Sequence, residues 1–96
     1  MKADYDSKAD ALSIDLVPPC HWDYNEEVTS TVNVAIAGDK PVNVELLYPH
    51  LGIDEPLRAA AERFDLDEEA LIAAARAAIA APDREVTVEV GVRIAA

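Results

Sequence analysis

Between Val86 and Ile94 every second residue is a branched aliphatic: Val86, Val88, Val90, Val92 and Ile94 alternate with Thr87, Glu89, Gly91 and Arg93. A period of two sorts residues onto the two faces of an extended strand, so these five side chains demand a second layer to lie against. The same period runs through Leu12, Ile14 and Leu16, through Val28, Val32, Val34 and Ile36, and through Val42, Val44 and Leu46. Pro18 and Pro19 stop the first of these runs, and Gly38-Asp39-Lys40 divides the other two as a hairpin turn. Lys2 to Tyr5 reads as a short opening strand that turns back through Asp6, Ser7 and Lys8.

After Tyr48-Pro49 the period becomes helical. Asp54 stands as an N-cap before Glu55 and Pro56, and Leu57, Ala60, Ala61 and Phe64 fall on one face. Asp67 caps a second helix, with Glu68 and Glu69 at the positive end of its dipole and Leu66 and Leu71 at the spacing of a hydrophobic staple. Its apolar stripe is read as Leu71, Ile72, Ala75, Ala78 and Ile79, and Pro82 ends it. Two short amphipathic helices and strands with one apolar face each are buried most economically in a two-layer α+β domain, with a helical hairpin on one face of a mainly antiparallel β-meander sheet. The element order reads ββββααβ. The 96 residues make one domain, with the meander over 1–48, the helical hairpin over 49–82 and the final strand over 83–96.

Composition narrows the functions open to such a domain. Eight Lys and Arg against nineteen Asp and Glu leave a formal charge of −11 at pH 7. A field of that sign repels the phosphates on which nucleic-acid affinity rests and disfavours an anionic membrane surface, so neither is expected as a partner. A single cysteine, Cys20, cannot form an internal disulfide, and the chain opens with no basic and apolar leader pattern. A cytoplasmic protein is expected.

Tyr5-Asp6 and Ala9-Asp10-Ala11-Leu12 with Ile14 and Leu16, followed by Glu26-Glu27-Val28, the turn at Gly38 and the strand Val42 to Leu46, resemble the bacterial domain-of-unknown-function family 2283 over about the first half of the chain. The likeness differs at Ser13, where the family carries an aromatic residue, and at Pro18 to Tyr24, which is an insertion relative to the family's shorter turn. The resemblance implies a β-meander and a cytoplasmic prokaryotic protein, and it carries over no catalytic residues.

The residues suited to chemistry are scattered. Arg58 to Leu71 has the spacing of a helix-turn-helix, but the second helix opens with Asp67, Glu68 and Glu69 and carries Arg76 as its one base, which sets it against phosphate. Cys20, His21, Asp23, Glu26 and His50 are metal-ligand types without C-x-x-C or H-x-x-x-H spacing, so no metal and no cofactor is expected. No G-x-S-x-G surrounds any serine; the carboxylate pairs Asp23 with Glu26 and Asp4 with Asp10 are the remaining acid and base candidates, and solvated surface charge is the ordinary reading of both.

One segment stands apart. Pro18 to Asn25 contains the only Trp, and Tyr24 beside it, on a loop between strands. Either Trp22 folds back to cap the aliphatic core, or Cys20, His21, Trp22, Asp23 and Tyr24 form an interaction loop, since Trp and Tyr with polar neighbours anchor interfaces. The outer face of the second helix, Ala73, Ala77 and Ala80, reads either as a helix built for intrinsic propensity or as a surface that lets another helix approach closely, and a homodimer is the expectation that ambiguity leaves. The expectation is a non-catalytic acidic interaction module, in a sharper form an antitoxin-like binder of a basic protein partner. The alternative is an enzyme or small-ligand binder with its site near the Cys20 to Tyr24 loop.

Overall fold

The computed structural model describes residues 1–88. Five strands, β1 (Lys2–Asp6), β2 (Ala11–Asp15), β3 (Tyr24–Glu27), β4 (Val32–Ala37) and β5 (Lys40–Leu47), precede the helices α1 (Asp54–Phe64) and α2 (Glu68–Ala80), and β6 (Glu85–Thr87) follows them. The strands form one antiparallel sheet in the order β3-β4-β5-β2-β1-β6. The chain leaves β2, crosses to the far edge at β3 and returns through β4 to lay β5 against β2.

The cross-strand register explains the two layers. Val34, Val44, Ile14, Ala3 and Val86 lie side by side in one row, and Val32, Leu46, Leu12 and Tyr5 in the next. Val34, Val44 and Ile14 are fully buried, as are Val32 and Leu12. Over these rows sit Leu57, Ala60 and Ala61 of α1 and Ala70, Leu71, Ala74, Ala75 and Ala78 of α2. Helix α1 packs on β4 and β5, and α2 on β1, β2 and β6. Each fully buried Leu, Ile or Val contributes about 1.5–3 kcal/mol relative to exposure. The α+β class expected from the alternation is the one observed.

The strand β3 is an addition to the expected order. The run read from Val28 is broken, because the residues after Glu27 turn instead of extending: Val28 N–H donates to the Val32 carbonyl at 3.0 Å, and Thr29 Oγ1 accepts from Thr31 N–H and Val32 N–H, each at 3.2 Å. The true partner of β4 is Tyr24–Glu27, which has no apolar alternation because it lies at the edge of the sheet, largely in solvent.

The β4–β5 hairpin contains a second departure from regularity. Ala37 faces Lys40 across the two-residue turn Gly38-Asp39, where Gly38 takes φ 64° in the left-handed region. Continued without interruption, that register would set Val34 opposite Asn43 and turn one apolar row outward. A bulge at Ala35/Ile36 shifts the ladder by one, so Val34 meets Val44 and Val32 meets Leu46.

Helix ends follow the sequence with one correction. Asp67 caps α2 as expected, its Oδ1 accepting from Ala70 N–H at 3.1 Å, and Leu66 packs against the core that holds Leu71. At α1 the cap position falls to Ile53 without a side-chain bond, and Asp54 is the first helical residue, where with Glu55 it complements the dipole. The stripe of α2 is also rotated from the expected one. Ala70 and Ala74 are buried and Ile79 is 37% exposed, because small residues let α2 approach the sheet more closely than Ile79 permits. Of the final alternating run, Val86 and Val88 pack against the core, joined to β1 by Val88 N–H donating to the Met1 carbonyl at 2.8 Å. Val90, Val92 and Ile94 lie outside the described residues.

Candidate functional site

Every residue from Val17 to Asn25 is exposed. This segment joins the end of β2 to the start of β3 and is pinned at its exit by Asp23, whose N–H donates to the Ile36 carbonyl at 2.8 Å and whose Oδ2 accepts from Gly38 N–H at 2.7 Å. The loop therefore leans on the β4–β5 turn. Trp22 is 47% and Tyr24 51% exposed, and neither belongs to the core or to the partly buried side chains packed on it. Trp22 is not a core cap. Cys20 is an exposed free thiol and His21 is exposed beside it.

Most of the chemical pairings that the sequence leaves open are separated in space. Asp23 is engaged with Gly38, while Glu26 Oε2 pairs with Arg63 of α1 at 2.9 Å. Asp4 lies on β1 beside Asp15 and Glu85, whereas Asp10 closes the β1–β2 turn. His50 joins Asp10 at the opposite end of β2 from Cys20 and His21. No group of three or more His, Cys, Asp or Glu able to hold a metal occurs among the described residues. The helix-turn-helix spacing is spent on ion pairs, Arg58 with Glu68 at 2.6 Å and Arg76 with Asp54 at 3.5 Å.

What the fold does assemble is a polar sheet face turned away from the helices. In register across all six strands run Glu27, Asn33, Glu45, Ser13, Asp4 and Glu85, and beside them Asn25, Ala35, Asn43, Asp15, Lys2 and Thr87. Five carboxylates face outward here with one cation, Lys2, which pairs with Glu85 at 3.4 Å. Buried Asn43 organises the centre, its Nδ2 donating to Ser13 Oγ and to Asp15 Oδ1, each at 2.9 Å. Burial pushes the Asp4 carboxyl above its ordinary pKa, and the charges of Asp15, Glu85 and Asp6 add to the rise. The sequence signal was present in the polar partners of each alternating run, but which of them become neighbours depends on strand order.

A second cluster was not anticipated. Asp10, held at φ 50°, accepts from the Tyr5 hydroxyl at 2.6 Å through Oδ1 and meets His50 Nδ1 through Oδ2. Tyr48, also left-handed at φ 55°, packs edge-on to the His50 ring at 6.3 Å between centroids. The phenol donating to Asp10 holds that carboxyl below its usual range and raises the Tyr5 hydroxyl above its own. A carboxylate occupied from both sides ties the β1–β2 turn to the chain leaving β5.

An apolar pocket of about 270 Å³ opens beside the loop entrance, lined by Met1, Leu16, Val17, Pro18, Pro19 and Thr87 with Lys2 and Asp15 at its polar side. No helix among the described residues is long and apolar enough to cross a membrane. No protein-family model matches the chain, and neither a curated protein nor a solved structure does.

Proposed function

We propose that this chain is a non-catalytic acidic interaction module that binds a basic protein, in an antitoxin-like manner, using the open sheet face together with Cys20, His21, Trp22, Asp23 and Tyr24. The observation that carries the reading is the register row Glu27, Asn33, Glu45, Ser13, Asp4 and Glu85, which spreads four carboxylates over one face, of which Glu85 is paired with Lys2. Such a face speeds encounter with a positive surface and selects against acidic competitors. The exposed Trp22 of the loop supplies an apolar anchor that charge alone lacks, and Tyr24, exposed on the helix side of β3, extends the contact around that edge. A homodimer through the outer face of α2 is a weaker reading, since Arg76 there is committed to Asp54.

The test is capture on immobilised domain, with Trp22→Ala and the double reversal Glu27→Lys with Glu45→Lys as companions. A basic protein retained by the parent, released by salt and lost from both variants supports the module. Retention that is indifferent to salt and to the reversal overturns it.

A further inference from the structure

We infer that β3 accepts an additional strand along its outer edge, supplied by an extended segment of the partner in which Lys or Arg alternates with apolar residues. This deepens the acidic-module reading and rests on it. Among the described residues, the strand β3 is the last in the sheet and pairs with β4 alone. Val28 N–H donates to Val32 across that pair, and bonding to a neighbour alternates along an antiparallel strand. Tyr24 and Glu26 therefore bond β4, and the N–H and C=O groups of Asn25 and Glu27 point outward. Those four backbone groups form a template for main-chain pairing.

Charge decides the occupant. A second copy pairing edge to edge about Asn25 would set Asp23 against Glu27, and pairing about Glu27 would set that residue against itself. Like charges directly opposed are destabilising, so both of these registers disfavour a second copy relative to a basic strand. A basic strand meets the opposite situation. On the helix side of β3, Glu26 is already neutralised by Arg63 at 2.9 Å, and Tyr24 is exposed for apolar contact. On the open side Glu27 begins the carboxylate row that continues inward to Glu45. An added strand shares these two faces residue by residue, so its cations belong on the open side and its apolar residues beside Tyr24. Period-two alternation in the partner is the consequence.

The experiment uses the full chain and a capped ten-residue peptide of alternating Lys and Val, with two analogues N-methylated at every Val or at every Lys. Fluorescence of Trp22, the only tryptophan, reports contact at the loop, and hydrogen exchange of the Asn25 and Glu27 amides reports strand addition. At saturation both amides should slow by about tenfold or more, and one of the two methylated peptides, the one whose lost N–H groups face β3, should bind about tenfold more weakly. A change in Trp22 without protection of Asn25 and Glu27, or equal binding by all three peptides, overturns strand addition and leaves the acidic module standing. Absence of both signals at millimolar peptide overturns the two together.

Discussion

Ser7 and Asp83, 76 residues apart, are joined twice: Asp83 Oδ1 accepts from Ser7 N–H at 2.8 Å and Oδ2 from the Ser7 hydroxyl at 2.6 Å. Asp83 also sits at φ 64° and donates its own N–H to the Tyr5 carbonyl at 2.8 Å. The turn after α2 is thereby fastened to the β1–β2 turn, which delivers β6 to the edge of β1.

The Ser7 bonds hold the Asp83 carboxyl below its ordinary value of 3.8. A carboxyl whose folded pKa is depressed stabilises the fold above its unfolded pKa, and that contribution disappears as pH falls through the folded value. Asp83→Asn keeps a side chain that tolerates the left-handed backbone and removes the charge. Its thermal midpoint should fall below the parent's at pH 7, with the two converging by about pH 2. Paired melts across that range check it.

Asp4 predicts the opposite sign. Its folded pKa is raised by burial and by Asp15, Glu85 and Asp6, so its charged form is less comfortable in the fold than in the unfolded chain. The penalty is absent below the unfolded pKa and complete above the folded one. Asp4→Asn should raise the midpoint at pH 7 and low salt by up to about 3 °C, and the gain should shrink with added salt. A lower midpoint would show that Asp4 contributes a favourable contact instead.

Trp22→Ala separates an exposed anchor from a core residue. Deleting a buried Trp costs about 3–5 kcal/mol, whereas Trp22 is half exposed and outside the core, so the loss should stay within about 1 kcal/mol. A midpoint drop beyond about 10 °C in a domain of this size would return Trp22 to the core.

The alanines of α2 divide sharply by face. Ala75 is fully buried against the sheet layer and Ala73 is exposed. Ala75→Leu should destabilise by about 1–3 kcal/mol through overpacking, and Ala73→Leu should fall within about 0.5 kcal/mol of the parent. Urea denaturation of the pair measures both, and equal stabilities would refute the assigned faces.

Alternation alone specified β2, β4 and β5, because a one-residue slip would turn Leu12, Val34 or Val44 into water. Capping chemistry at Asp67 marked the start of α2 for an equally local reason, the unsatisfied N–H groups of its first turn. The edge strand β3 escaped that reading, since Tyr24–Glu27 is solvated and no hydrophobic penalty constrains its pattern. The bulge at Ala35/Ile36, the pairing of β5 with β2, and hence the row from Glu27 to Glu85, were decided only by tertiary structure. Each brings together residues distant in sequence, and their order follows from how β4, β5, β2, β1 and β6 share one apolar face beneath α1 and α2.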